Sequence, residues 1–150
     1  MEEKTPASQA ATQRDRTAAY FSLLARTYGD GELFGRRRAA VLAAIAGELR
    51  AARSVLDLGC GNGKYLADFV RLSGDTRVAG ADLSADMLRE ARALVGAGVP
   101  LVRADAAAPP FRAGAFDLIF ASHVLIFASS LDAAVASCVR CLASGGTLVA

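Results

Sequence analysis

The chain has 150 residues, 53% of them apolar, which is one domain's worth of sequence with enough apolar content for a core. Its 17 Lys and Arg stand against 15 Asp and Glu, a net charge of +2 with both signs interspersed, so no basic face argues for a nucleic-acid partner. No apolar run reaches the roughly 18 residues of a membrane span, and residues 1–16 lack the apolar centre of a signal peptide. The expectation is a cytoplasmic protein with no membrane partner, in which the three cysteines act as small apolar groups.

Residues 1–12 are polar and rich in small side chains and are expected to be disordered, with the domain over 13–150. Ala18, Phe21, Leu24, Ala25 and Tyr28 share one helical face over 14–28, which Gly29-Asp30-Gly31 ends. A second helix is expected over 33–51 with Val41, Leu42, Ile45 and Leu49 inward. Arg36, Arg37 and Arg38 read as its solvated start, the other reading being contact with an acidic substrate.

Strands and helices then alternate: strand 53–58, helix 63–72, strand 77–82, helix 84–95, strands 99–103 and 116–121, helix 130–142, strand 146–150. These strands are apolar throughout rather than alternating, as a parallel sheet covered on both faces requires. The expected fold is α/β, a doubly wound, Rossmann-like parallel sheet of strand order 3-2-1-4-5. Its topological switch lies between the first and fourth strands, where residues 57–63 and 121–123 meet and where ligands bind. Cys138-x-x-Cys141 lies on a predicted helix without a second pair or a nearby histidine, so no metal site is assigned.

Ser54 to Lys64 is a short apolar strand running into glycines and then a helical pattern. Glycines let the chain turn sharply and let a ligand approach the backbone at a helix start. The spacing Asp57-x-Gly59-x-Gly61-x-Gly63 is neither the G-x-G-x-x-G of dinucleotide sites nor a P-loop. A carboxylate before the first glycine repels a pyrophosphate and suits a cationic amine or sulfonium. The segment Val55 to Gly63 resembles the first motif of class I S-adenosylmethionine-dependent methyltransferases.

Further segments extend that resemblance in order. Val78 to Asp82 ends in an acid about twenty residues past the loop, a spacing at which an acid meets a ribose. Ser84 is the better N-cap of the following helix and leaves Asp82 free. Asp105 and Ala106 match the family's adenine contacts, and residues 115–125 and 142–150 match its fourth strand and its passage into the fifth. The resemblance implies S-adenosyl-L-methionine as cofactor, with Asp57, Gly59, Cys60, Gly61 and Gly63 around its methionine end. Cys60 is there a small residue that leaves space. Asp82 with Leu83 would hold the ribose, Asp105 with Ala106 the adenine, and Ser122 would border the switch point.

Tyr20 and Tyr28 lie on the N-terminal helices, which in small-molecule members close over the cofactor cleft. His123, the only histidine, is the catalytic candidate as a base, the other reading being a histidine that packs or hydrogen-bonds at a helix start. Ile126-Phe127 replaces a polar pair common in related sequences, which implies a more apolar acceptor pocket or core packing. The expected activity is methyl transfer to a small-molecule acceptor. The alternatives are a non-catalytic cofactor-binding fragment or partner subunit and, third, a nicotinamide-dependent oxidoreductase. The family continues past the fifth strand, so an exposed edge there implies either a missing C-terminal segment or a homodimer that covers it.

Overall fold

The apolar runs and turn signals translate into twelve elements in a computed structural model that describes residues 6–150, with side chains from Gln13 onward. Three helices come first: α1 (Pro6–Leu24), α2 (Glu32–Ala44) and α3 (Ala46–Ala51). The alternating part follows as β1 (Ser54–Leu58), α4 (Lys64–Leu72), β2 (Arg77–Asp82), α5 (Ala85–Val95), β3 (Leu101–Arg103) and β4 (Phe116–Phe120). A 3-10 turn (Leu125–Phe127), α6 (Leu131–Cys141) and β5 (Leu142–Val149) complete it. No helix among the described residues is long and apolar enough to cross a membrane.

The strands form one parallel sheet in the order β3-β2-β1-β4-β5, as expected. Every residue of β1 is buried, because the strand is paired on both sides and covered on both faces. Leu56 and Leu58 pack on the face covered by α6, with Ala134, Cys138 and Cys141. Val55 packs on the opposite face with Leu49, Leu66 and Phe69. Cys138 and Cys141 thus serve as core residues with free thiols.

Several boundaries differ from the sequence reading. Helix α1 begins at Pro6, which puts residues 6–12 in a helix rather than in a disordered tail; residues 1–5 lie outside the described residues. It ends at Leu24, whose carbonyl accepts from the N–H groups of both Thr27 (3.0 Å) and Tyr28 (2.7 Å) in a closing turn. The second predicted helix is interrupted at Ile45, although the Ile45 N–H still bonds to the Val41 carbonyl. Strand β3 starts only after Pro100, which has no N–H to give to a ladder. Strand β5 begins early, directly after α6, and slips register: Phe116 faces Leu142, yet Leu118 faces Thr147. Gly145 at φ 76° makes that bulge possible.

Candidate functional site

At the carboxyl end of β1 the chain turns through Gly59 (φ 76°), Gly61 (φ 53°) and Gly63 (φ 86°). Gly63 caps α4 in the left-handed conformation, and a Cβ there would stand 2.9 Å from the backbone Cα of Ala91. A Cβ on Gly59 would stand 2.4 Å from Val124 Cβ. The loop is therefore pressed between α5 and the segment after β4, and side chains at these two positions would push the layers apart.

The three acids predicted for the site stand at the carboxyl ends of β1, β2 and β3. Asp57 is 2% exposed, and its Oδ2 has no hydrogen-bond partner among the described residues. Burial, and then the charge of Asp82, push its pKa up to about 8. Asp82 accepts from the N–H groups of Gly61 (2.9 Å, to Oδ2) and Ser84 (2.8 Å, to Oδ1). Burial raises its pKa, and the backbone N–H groups of Ser84, Gly61 and Leu83 oppose the rise. As expected, Ser84 is the N-cap of α5, accepting from the Met87 N–H at 3.3 Å. Asp105 Oδ1 accepts from the Ala107 N–H at 2.9 Å, and Ala106 beside it is buried.

These residues line two adjoining lobes of one cleft. The outer lobe, about 570 Å³ and open to solvent, contains Asp82, Leu83, Asp105, Ala106 and His123 against an apolar wall that includes Phe21 and Phe127. The inner lobe, about 370 Å³, contains Asp57, Cys60, Tyr65 and Phe120. Tyr28, Gly59, Gly61 and Ser122 border both.

The N-terminal helices do not contribute as expected at every position. Tyr28 lies between the lobes, and its pKa is raised by burial, which the nearby Arg37 guanidinium partly offsets. Tyr20 is 56% exposed, stands edge-on to Phe21 and lines neither lobe. Helix α1 instead turns Thr17 and Phe21, an i, i+4 pair, toward the cleft. Of Ile126 and Phe127, only Phe127 lines the cleft, packed edge-on to Phe21 at 5.1 Å; Ile126 is exposed.

His123 is exposed just past β4, in a positive-φ conformation (58°) that a non-glycine residue rarely adopts. Ser122 Oγ is 3.0 Å from its Nδ1, and Arg37 Nη2 lies 2.7 Å from Nδ1 and 2.5 Å from Nε2. The arginine run is thus not simply a solvated helix start. Arg38 donates to Asp68 (3.0 Å) and to the Lys64 carbonyl (3.2 Å), while Arg36, paired with Glu32, and Arg37 are exposed. Asn62 was also not anticipated. It is 8% exposed, and its amide donates to the carbonyls of Ala25 (3.1 Å) and Tyr28 (2.9 Å), tying the turn after α1 to the glycine loop. A polar side chain inside an apolar, glycine-rich turn was its one signal, since a buried amide must find partners.

A family model described as a methyltransferase domain matches residues 56–150, which include the glycine loop and all three acids. The chain belongs to this methyltransferase-domain family. The methyltransferase domain is 45% identical over 83 residues to a malonyl-[acyl-carrier protein] O-methyltransferase of Legionella pneumophila, covering 54% of this chain and 29% of that protein. It is 39% identical over 107 residues to a ubiquinone/menaquinone biosynthesis C-methyltransferase of Shewanella halifaxensis, covering 67% and 42%. Among solved structures it superposes on an S-adenosylmethionine-dependent methyltransferase from Mesorhizobium loti with a TM-score of 0.63 and 30% identity, covering 73% and 49%. The chain therefore spans less than half the length of each of these proteins.

Proposed function

We propose that the chain carries the cofactor site of an S-adenosyl-L-methionine-dependent methyltransferase that acts on a small molecule. The observation that carries this reading is Asp57. A buried carboxylate with an unpartnered oxygen beside a glycine turn is costly, and a cationic amine would supply the missing hydrogen bond. The other residues fit the rest of that cofactor. Asp82 is oriented by two backbone N–H groups, one to each oxygen, which leaves each oxygen a further lone pair to accept from a ribose hydroxyl. Asp105, Ala106 and Leu83 line the outer lobe, whose wall is largely apolar, as an adenine would require. Gly59, Gly61 and Cys60 give clearance, Gly63 lines neither lobe and packs against Ala91, and Tyr28 and Ser122 border the path between the lobes.

S-adenosyl-L-methionine supplies a methyl group already activated on a sulfonium. The chain's task is then to bind, orient and exclude water rather than to form a covalent bond. Tyr28 and Phe21 cover the cleft from the N-terminal side, and His123 stands where an acceptor that must lose a proton would need a base. Titration calorimetry with S-adenosylhomocysteine tests the site. Asp82→Ala is expected to weaken binding at least about tenfold, and equal affinities would overturn the assignment. NAD in the same experiment is expected to give no heat.

A second reading is cofactor binding without turnover. Bound S-adenosylhomocysteine with no methylation across an acceptor panel would favour it. The proposal includes a cytoplasmic setting, which the three free cysteines favour. It also includes cover for the edge strand β5, by a second copy or by further chain, and sedimentation velocity separates the two.

A further inference from the structure

The cations of α2 and of the start of α4 are unequally partnered. Arg38 is neutralised by Asp68, Lys64 by Asp30 and Arg36 by Glu32. Arg37, on the same helix, has no carboxylate partner among the described residues. Its guanidinium lies instead against the His123 ring, and its charge lowers the pKa of both the Tyr28 and Tyr65 phenols against their burial. His123 lines the outer lobe, so the guanidinium against its ring stands at that lobe's edge, while the carboxyls of Asp57 and Asp82 give the cleft an acidic floor.

An acidic floor suits a cationic donor, and an unneutralised cation at the rim suits an anion arriving from solvent. We propose, on the methyltransferase reading above, that the acceptor is a carboxylic acid whose carboxylate is held by Arg37. Guanidinium and carboxylate match in shape as well as charge, since two parallel N–H groups can meet two oxygens. The apolar wall of Phe21, Val124 and Phe127 beside the rim takes the acid's carbon chain.

This acceptor also accounts for His123. Ser122 and Arg37 both engage its ring, and its backbone is held at positive φ, a cost that functional sites tolerate when it aims a group. The histidine is then a positioning residue for the guanidinium. A carboxylate needs no base, because it is ionised at neutral pH. One of its oxygen lone pairs forms the new O–CH3 bond as the S–CH3 bond breaks, and the electron pair of that bond stays on sulfur. No proton moves, the sulfonium becomes a neutral thioether, and the carboxylate becomes a neutral ester. The ester no longer pairs with Arg37, which favours its release.

The test is calorimetry on the full chain saturated with S-adenosylhomocysteine, using the straight-chain dicarboxylates from malonate to adipate and their dimethyl esters as neutral controls. At least one acid is expected to bind and its diester not to bind. Arg37→Gln is expected to weaken that acid at least tenfold while S-adenosylhomocysteine affinity stays within twofold, and Arg37→Lys to recover part of the loss. With labelled S-adenosyl-L-methionine kept saturating at every pH, kcat for methyl transfer to the same acid should be flat from pH 6 to 9, and His123→Gln should raise KM with kcat within threefold. Binding of S-adenosylhomocysteine without binding of any acid, acid affinity unchanged in Arg37→Gln, or a kcat lost with His123 would each overturn the proposal alone. Failure of S-adenosylhomocysteine to bind would overturn the methyltransferase reading and this one with it.

Discussion

Asp57 is the residue whose energetics reach furthest. Its pKa of about 8 in the folded chain lies far above that of an exposed aspartate, so between about pH 4 and 8 the folded state holds a proton that the unfolded state has released. Stability of the ligand-free chain is therefore greatest at the acid end of that window and falls as pH rises through it, levelling above about 8. Asp82, also raised, adds to the slope with the same sign. Asp57→Asn is expected to remove most of this fall and to raise stability at pH 8, while weakening S-adenosylhomocysteine about tenfold or more. Chemical denaturation at several pH values reads the first effect; an unchanged slope in the variant would mean that Asp57 is ionised throughout.

The elements around the site owe their positions to a few contacts that local sequence patterns describe unevenly. The three acids were legible because each sits where an apolar strand run stops, and the carboxyl ends of parallel strands gather at one edge. The Arg37 and His123 pair was not, since the two are 86 positions apart and a charged side chain on an exposed helix face has no periodic signature. For Tyr20 helical spacing narrows a face to a stripe but does not say which edge of the stripe meets the cleft, and this side chain stands outside both lobes. Asn62 joins two such elements. Asn62→Ala removes two hydrogen bonds to carbonyls of the turn after α1, each worth about 1 kcal/mol. The expected result is a loss of about 2 kcal/mol, faster amide exchange at Tyr28 and Asp30, and weaker S-adenosylhomocysteine binding. A variant that lost stability but kept those amides protected would show that the turn is held by other contacts.

Across the whole molecule, strand order and the burial of β1 follow from apolar runs that could only be covered on both sides, and these were readable in advance. The β5 bulge was not, because register depends on cross-strand partners rather than on local composition. The consequence is a gradient of stability from the centre of the sheet to that edge. Native-state hydrogen exchange is expected to protect Val55 to Leu58 up to the global unfolding limit and to leave Thr147 and Leu148 at least a hundredfold less protected in a monomer. Equal protection in a species shown by sedimentation to be monomeric would contradict this. Protection that rises with protein concentration would identify a second copy as the cover for the edge.

The unpartnered oxygen of Asp57 also fixes the currency in which the site trades. Near neutral pH that carboxyl is largely protonated, and an ammonium can take its place beside the carboxylate only if the proton leaves. Occupying the inner lobe is thus an ion exchange with solvent. The heat absorbed or released on binding then contains the ionisation enthalpy of whichever buffer accepts that proton.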